Sequence, residues 1–413
     1  MDFAIPYTEE QEKFRMEVRA WLDENSPENM KEPVDGNDVT QEMRTFWAGK
    51  HIDLAKKGWL YPTYSKEFGG GGLTSDHETI LDEEFSRAKS PRSYGNTYSF
   101  GSLMVWGTEE QKPKFLVPFM TGEQKTWQRL TEPQGGADLA NVQGRAVRDG
   151  DDWLLTGQNV FISCWGDEDY FPGVMMTDPE APRHRNLGFF MVPNNTPGLD
   201  IKAMDLLPSS GRSPGPGQKA IFMDNVRVPA DHLIGGDHQG WQVMQTLLEA
   251  EHGGRGRAFP RDEYVDNLVS YVKETKDSNG TIGADPVLQQ KTMDTVLQAH
   301  VQSLFQRHTF WMYQNHMEMQ GENNVTQVQG REGDCLNAIR MREVMGMYAF
   351  LSTREPGAPQ GGKQEVHQRG MAGQRHAGGS TNIAKVILSR RIGISRTQER
   401  AAPTASTATK QGS

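Results

Sequence analysis

The sequence predicts an α+β protein with an N-terminal helical domain, a middle antiparallel β domain and a C-terminal helical domain. Three changes of hydrophobic period along the chain predict this order. Apolar residues recur at helical spacing up to about residue 125, alternate with polar residues from about 126, and return to helical spacing from Gly240. A period of 3.6 residues is typical of an amphipathic helix, and a period of two is typical of a half-buried strand.

The N-terminal part carries two capping boxes, which predict where helices begin. One runs from Thr8 to Gln11 and the other from Thr108 to Gln111. In such a box the threonine side chain and the glutamine side chain satisfy backbone N–H groups at the start of a helix. The first helix is expected to bury one apolar face and to end at Asn25-Ser26-Pro27; that face comprises Phe14, Val18, Trp21 and Leu22. The Gly- and Pro-rich residues 58–72 predict irregular structure.

The middle part begins with a predicted hairpin. Residues 142–148 alternate, Asp149-Gly150 marks the turn, and Trp153-Leu154-Leu155 resumes the alternation. Further short strands are expected at residues 160–163, 188–192 and 220–223, and the β domain is expected to end near Pro229. Residues 208–217 contain three prolines and three glycines, which predicts a loop.

The C-terminal part predicts helices from Gly240, over about 286–313, over about 337–351 and over about 382–391. The small polar residues that follow predict a disordered tail. The expected domains are therefore residues 1–125, 126–235 and 236–396, with the tail at 397–413.

Composition excludes several classes of protein. The chain has 413 residues with 44 Lys and Arg against 54 Asp and Glu, a formal net charge of −10, which argues against a broad nucleic-acid surface. No apolar run approaches the roughly 20 residues of a membrane-spanning helix. The histidines and the two cysteines show no metal-ligand spacing, and Cys164 and Cys335 are expected to be reduced. Because no signal peptide is visible, a cytoplasmic location is expected.

Three segments carry a more specific pattern. The first is residues 127–138, which contain Thr131-Glu132-Pro133 before a Gly-rich turn. The second is residues 159–163, which end in Phe161-Ile162-Ser163. The third is Gly240-Trp241, followed eleven residues after Gly240 by Glu251.

Together these segments resemble the acyl-CoA dehydrogenase family. Three further segments match family patterns, and they are Trp59 to Gly70, Asp224 to Pro229 and Arg375 to Ile383. The resemblance keeps the family's order and extends over about residues 8–396. The resemblance implies a helical domain, an antiparallel β domain and a C-terminal four-helix bundle. It also implies α,β-dehydrogenation of an acyl-CoA thioester with FAD, an electron-transfer flavoprotein as acceptor, and a homo- or hetero-oligomer.

The resemblance also implies which residues hold FAD. It places Gln128, Leu130 and Thr131 against the isoalloxazine, where hydrogen-bond donors are needed as the reduced ring becomes anionic. It places Phe161 against the flavin face and the Ser163 hydroxyl near N5. An ordinary alternating strand remains the other interpretation of Phe161 and Ser163.

The C-terminal Gly-rich turn contributes a further set of candidates. Gly378, Gly379 and Ser380 are expected to approach the flavin or its ADP part. Most family members also keep the catalytic glutamate in this turn, but residues 377–380 contain no carboxylate.

A minority of the family places the base on the helix after the β domain, and that pattern falls on Glu251. The following residue is His252 rather than the usual Arg, so the neighbouring cation is titratable. Glu249 matches a substrate-contacting position; because carboxylates two apart on a helix point in different directions, Glu249 and Glu251 are not expected to share one role. Ala137 replaces a serine that helps to hold the thioester. An exposed helical position remains the other interpretation of Glu251.

Several departures keep rival functions open. The Arg-x-x-Phe motif that binds FAD of a neighbouring subunit is not found in residues 289–305, and Arg255 and Arg257 fit either phosphate contacts or an exposed loop. Bacterial family members that act on bulky substrates such as steroid side chains resemble this pattern, and several pair an active chain with an inactive one. The rivals are a catalytically silent partner subunit and a flavin oxidase or monooxygenase on the same fold.

Overall fold

The structure is a computed structural model, and it describes residues 7–92, 97–204, 206, 218–252, 262–315, 317–319, 321–371, 373, 375–376 and 379–395. For residues 249–252 and 313–314 it describes the backbone alone. The predicted loop at 208–217, Gly378, Arg255, Arg257 and the predicted tail at 397–413 lie outside the described residues.

The N-terminal part is helical, as predicted. Its helices are α1 (Glu9–Asn25), α2 (Gln41–Lys56), α3 (Ser75–Arg87), α4 (Tyr98–Trp106) and α5 (Gln111–Met120). Both capping boxes form: Thr8 exchanges hydrogen bonds with Gln11, and Thr108 does so with Gln111. Val18 and Leu22 of α1 are fully buried, so the predicted apolar face is the buried one.

The middle part forms one sheet with the strand order β5-β6-β2-β1-β3-β4-β7 among the described residues. The strands are β1 (Arg145–Asp149), β2 (Asp152–Ile162), β3 (Tyr170–Met176), β4 (Leu187–Pro193), β5 (Leu199–Ala203), β6 (Lys219–Val228) and β7 (Leu233–Ile234). All named pairings are antiparallel except β1 with β3, which meet in parallel at Arg145 and Met176. The predicted hairpin is confirmed by the pairing of Asp149 with Asp152.

One strand prediction was wrong. Residues 160–163 are not a separate strand, because β2 runs without a break from Asp152 to Ile162 and Ser163 lies just after its end. A shift of register between Asn159 and Ile162 bulges this strand, and the bulge interrupts the alternation that would have shown its continuity. The sequence reading also missed β3, β5 and β7.

The C-terminal part is helical again, with α6 (Gly240–His252), α7 (Glu263–Glu274), α8 (Pro286–Gln314), α9 (Glu322–Met345), α10 (Lys363–Met371) and α11 (Thr381–Arg391). A two-strand ribbon of β8 (Lys276–Asp277) and β9 (Gly280–Thr281) precedes α8. The helix predicted from residue 337 begins earlier, at Glu322. Its first half is too polar to show a helical period, and its predicted last residues form a 3₁₀ turn over Gly346–Phe350.

Two hydrophobic cores meet at the sheet and position the site. The N-terminal helices share one core with a face of the sheet and with α6, through residues such as Phe119, Phe189 and Leu247. The other face of the sheet buries Trp153 and Phe190 in a second core. Gly240 lets α6 begin directly on the sheet, because a Cβ there would lie 2.6 Å from the backbone carbon of Gly188. Among the described helices none is long and apolar enough to cross a membrane.

Candidate flavin site

The Thr131-Glu132-Pro133 turn leaves the sheet beside β3. The N–H groups of Trp127 and Arg129 donate to the carbonyls of Tyr170 and Pro172 at 3.1 and 2.8 Å. Because neighbouring residues of an extended segment point their N–H groups to opposite sides, Gln128 and Leu130 face away from β3. Within the described part of the chain the N–H groups of Leu130 and Thr131 have no hydrogen-bond acceptor.

Glu132 fixes the shape of this turn. Its side chain is 5% exposed. One carboxylate oxygen accepts from the Gln143 N–H at 2.7 Å and from the Gln134 amide at 2.6 Å. The other accepts from the Gly144 N–H at 2.9 Å. A carboxylate with three N–H donors is well satisfied when ionised, so Glu132 acts as an anchor for the turn rather than as a free base.

Phe161 lies beside the same turn. The Val160 N–H donates to the Thr131 carbonyl at 2.9 Å, which joins the end of β2 to the turn. Phe161 has a φ of 59°, in the left-handed region, and its side chain is 53% exposed. A large apolar side chain that is kept exposed by a strained, left-handed backbone conformation is a feature found at ligand sites. The bulge in β2 produces this orientation.

Ser163 is exposed and accepts a hydrogen bond from the Gln218 amide at 3.4 Å. The Phe161 N–H points at the sulfur of Met204, 3.4 Å away. Sequence reasoning missed both Gln218 and Met204, since they come from the neighbouring β5–β6 segment and carry no motif. The structure therefore places the segment of Leu130 and Thr131 next to the segment of Phe161 and Ser163, through the Val160–Thr131 hydrogen bond.

The backbone of α6 carries Glu249, Glu251 and His252 in its last turn. The Trp106 indole donates to Thr246 at 3.0 Å and the Ser102 hydroxyl donates to the Val243 carbonyl at 2.9 Å, so α4 fixes this helix. Glu251 lies eleven residues beyond Gly240, or about 16 Å along the helix axis at 1.5 Å per residue. The side chains of Glu249, Glu251 and His252 lie outside what the structure describes.

Ala137 lies on the exposed Gly-rich turn before β1. The neighbouring Asp138 accepts a hydrogen bond from Arg183. His184, which follows Arg183, packs against Trp241 of α6 with the two rings tilted by 32° and their centroids 4.5 Å apart. This chain of contacts links the Ala137 turn to the start of α6.

The C-terminal turn reaches other partners. Gly379 has a φ of 86°, and its carbonyl accepts a hydrogen bond from Arg331 of α9. The Ser380 hydroxyl accepts from the Ile383 N–H at 3.3 Å and caps α11. Among the described residues no hydrogen bond, ion pair or ring contact joins Gly379 or Ser380 to Thr131, Phe161 or Ser163.

Sequence reasoning also missed two buried residues beneath the turn. Arg129 and Asn159 are 0% and 2% exposed, and the Arg129 guanidinium donates to the Asn159 amide oxygen at 3.2 Å. The sequence gives little signal for Arg129, since it stands beside the polar Gln128 in a segment of mixed polarity. No group of three or more His, Cys, Asp or Glu residues in the described part of the chain is arranged to hold a metal ion. Cys164 and Cys335 are both free and buried.

Models of three protein families match the chain in order: the N-terminal domain of acyl-CoA dehydrogenase over residues 8–123, its middle domain over 128–226 and its C-terminal domain over 238–393. The chain belongs to the acyl-CoA dehydrogenase family. This confirms the family that the sequence motifs indicated.

Curated relatives and solved structures agree with this assignment. The chain is 25% identical to acyl-CoA dehydrogenase FadE26 of Mycobacterium tuberculosis, over 93% of this chain and 96% of the relative. It is 26% identical to the mitochondrial isovaleryl-CoA dehydrogenase of Pongo abelii, over 70% of this chain and 68% of that relative.

Among solved structures, the fold matches the Tcur3481-Tcur3483 steroid ACAD with a TM-score of 0.80 at 24% identity, over 97% of this chain and 100% of that chain. It matches the ChsE4-ChsE5 complex of Mycobacterium tuberculosis with a TM-score of 0.78 at 24% identity, over 96% of this chain and 100% of that chain. At these identities the two structures establish the shared three-part fold and nothing finer.

Proposed function

We propose that the chain is an FAD-dependent oxidoreductase that removes the α-proton and the β-hydride of an acyl-CoA thioester. The observation that carries this proposal is the surface formed by the Thr131 turn and the bulged end of β2. It offers backbone N–H groups of Leu130 and Thr131 without acceptors among the described residues, next to the exposed ring of Phe161. This combination fits an isoalloxazine, which needs donors at its pyrimidine edge and apolar cover on its face.

When bound there, FAD would supply the hydride acceptor, which no protein side chain provides. Leu130 and Thr131 would donate to the pyrimidine edge, and Phe161 would cover one face. Ser163, already hydrogen-bonded to Gln218, would direct its hydroxyl toward N5. Gly378, Gly379 and Ser380 would contact the cofactor or its ADP part.

Glu251 is the proposed base for the α-proton. It occupies the last turn of α6, a helix held against the sheet at Gly240 and against α4 at Thr246. A carboxylate in a dry pocket has a raised pKa and is a stronger base, which suits removal of a weakly acidic proton. Glu249, His252 and the Ala137 turn would contact the thioester. Electrons would leave to an electron-transfer flavoprotein.

An oligomer is proposed from the surface of the C-terminal helices. Met293, Leu297 and Leu304 follow one face of α8 and are 59%, 62% and 54% exposed. Leu336 on α9 and Val386 on α11 are also exposed, each at 43%. A row of large exposed apolar side chains along one helix face, as on α8, is typical of a subunit interface. The match to the ChsE4-ChsE5 complex favours another subunit as the occupant.

A catalytically silent partner subunit is the second candidate. The absence of a carboxylate in residues 377–380 and the replacement of an arginine by His252 favour it. The matched structures of two named chains, Tcur3481-Tcur3483 and ChsE4-ChsE5, favour it as well.

The deciding experiment is a visible absorption spectrum of the chain expressed alone, before and after anaerobic addition of acyl-CoA thioesters that range from short chains to a steroid side chain. A flavin band that one thioester bleaches supports the dehydrogenase and identifies the substrate class. A chain that stays colourless with excess FAD supports the silent subunit. Rapid oxygen consumption by the chain with thioester and no added acceptor would support a flavin oxidase instead.

A further inference from the structure

Arg129 is a buried cation directly beneath the proposed flavin-binding turn. Its side chain is 0% exposed, inside the β domain. The backbone of β3 passes very close to Arg129 at Gly173. A Cβ at Gly173 would lie 2.2 Å from the Arg129 carbonyl oxygen and 2.8 Å from its Cγ, so only glycine fits there. The close approach of β3 to residue 129 therefore depends on Gly173.

The partners of the Arg129 guanidinium are all uncharged. Nε donates to the Phe171 carbonyl at 3.1 Å, and Nη1 donates to the Asn159 amide oxygen and to the Met175 sulfur, both at 3.2 Å. Nη2 has no hydrogen-bond partner within the described residues. No ion pair within 4.0 Å joins Arg129 to a carboxylate in the described ranges.

Arg129 therefore has no ion-pair partner among the described residues, and the nearby Glu132 carboxylate acts on it only through its field. Burial lowers the pKa of Arg129 to about 10, while the field of Glu132 acts in the opposite direction, so the side chain stays protonated near neutral pH. The Glu132 carboxylate is already held by three N–H donors. Burying an ion without an ionic partner costs several kcal/mol, and an apolar side chain of similar volume would avoid that cost.

The turn connects this charge to the proposed cofactor. Because arginine only donates, the oxygen of the Asn159 amide must face Arg129, and its nitrogen then donates to the Thr131 carbonyl at 3.3 Å. Arg129 precedes Leu130 and Thr131, whose N–H groups lack acceptors among the described residues. The cation thus lies behind the donors that would meet the flavin.

We infer that Arg129 is a positioning residue that stabilises the negative charge gained by the flavin on reduction, and that it raises the reduction potential of the bound cofactor. This inference rests on the proposed function. Hydride transfer carries two electrons and one proton and leaves one negative charge on the cofactor, while the α-proton passes to Glu251. A fixed positive charge in a dry interior stabilises such an anion more than the same charge in water would.

The test is the redox equilibrium between the bound flavin and a reference dye, measured spectrophotometrically without any thioester. Arg129→Met and Arg129→Gln remove the charge, Arg129→Lys keeps it, and Arg148→Met removes an exposed cation of the same domain. We expect both neutral variants to bind FAD and to shift the equilibrium at least about tenfold toward oxidised flavin. For a two-electron couple, a tenfold change in this equilibrium corresponds to a reduction potential lower by about 30 mV. Arg129→Lys is expected to shift it less than about threefold and Arg148→Met not at all.

Two results would overturn the inference. One is a neutral variant that holds FAD with the wild-type dye equilibrium. The other is loss of FAD by all three Arg129 variants, Lys included, which would make Arg129 a structural residue alone. Loss of FAD from both neutral variants, with native circular dichroism and FAD retained by Arg129→Lys, would support the requirement for charge.

Because the dye measurement needs no thioester, it can test the role of Arg129 independently of the proposed dehydrogenation. If the wild-type chain binds FAD but no thioester reduces it, the proposed dehydrogenation fails while the role of Arg129 is still measured. A wild-type chain that takes up no FAD overturns both.

Discussion

The side-chain amide of Asn159 donates to the backbone carbonyl of Thr131 over 3.3 Å inside the β domain. This bond joins the end of β2 to the turn that is proposed to hold the flavin. The other end of the same amide accepts from Arg129 at 3.2 Å. One buried side chain therefore holds both the turn and the cation beneath it.

Asn159→Ala should weaken FAD binding and lower stability. Leaving buried hydrogen-bonding groups without a partner costs about 1–3 kcal/mol, and roughly 1.4 kcal/mol corresponds to tenfold in affinity. We expect FAD affinity to fall about tenfold, measured by fluorescence of released flavin. Asn141→Ala, at an exposed position of the same domain, is the control and should change neither property. Unchanged FAD affinity in Asn159→Ala would show that the turn does not depend on this bond.

Glu84 joins α1 and α3 of the N-terminal helices through three arginines. Its side chain is 2% exposed and accepts hydrogen bonds from Arg15, Arg19 and Arg87 at 2.7–3.3 Å. Burial acts to raise the pKa of Glu84, but the three arginines outweigh it and lower the pKa to about 2. Removing one member of a buried ionic network typically costs 3–5 kcal/mol.

We therefore expect Glu84→Gln to lower the free energy of unfolding by about 3 kcal/mol, as measured by urea denaturation at pH 7. Since the pKa of Glu84 is lower in the folded protein, its contribution should be lost as pH falls from about 4.5 toward 2. Glu12→Gln removes an exposed partner of Arg15 and should cost less than about 1 kcal/mol. Equal losses in the two variants would contradict the account of Glu84.

His51 is predicted to limit stability in acid. The side chain is 3% exposed, and burial, with a smaller effect of Lys125, lowers its pKa to about 4. Between about pH 4 and 6.5 the unfolded chain therefore binds more protons at His51 than the folded chain, so stability falls as pH falls through this window. A fall of the pKa from 6.5 to about 4 corresponds to about 3 kcal/mol of folding free energy.

The measurement is the free energy of unfolding against pH. His51→Gln should flatten the curve between pH 4 and 6.5, whereas His300→Gln, at an exposed position on α8, should leave the wild-type slope. An unaltered slope in His51→Gln would assign the acid sensitivity to other groups.

Leu297 tests the proposed subunit interface on α8. Placing a charge at the centre of an apolar interface leaves it buried and unpaired, so Leu297→Glu should shift sedimentation toward smaller species. Met16→Glu is the matched control, because Met16 is 59% exposed on α1, outside the proposed interface. If both variants sediment as the wild type does, the C-terminal helices are not the interface.

The sequence predicted the elements whose signals are local. Both capping boxes, the hairpin at Asp149 and the helix from Gly240 need only neighbouring residues, and each is present. The strand containing Phe161 was divided in error because its bulge depends on pairing with β6, some 60 residues away. The start of α9 was missed because tertiary packing, rather than amphipathic period, holds its polar first half.

In the candidate site, too, the sequence predicted the residues that belong to local motifs and missed those that depend on contacts between distant segments. Thr131 and Phe161 were found because they belong to motifs, and the structure brings their segments together through the Val160–Thr131 hydrogen bond. Arg129 and Asn159 lie within the motif segments but were given no role, and Gly173 lies outside those segments. The relation between these residues exists only once β2 and β3 are folded around the turn. The described contact of Gly379 is with Arg331 of α9, a pairing that a list of motifs in order cannot show.

The proposed role of Glu251 is tested most directly by anaerobic single-turnover reduction of the flavin, with the thioester that bleaches the wild type best. We predict that Glu251→Gln keeps FAD and native circular dichroism but reduces its flavin at least about 10³-fold more slowly, within the range for loss of a general base. Glu249→Gln, on the same turn of α6, should slow reduction far less. Reduction of Glu251→Gln at a rate near that of the wild type would contradict the assignment of the base.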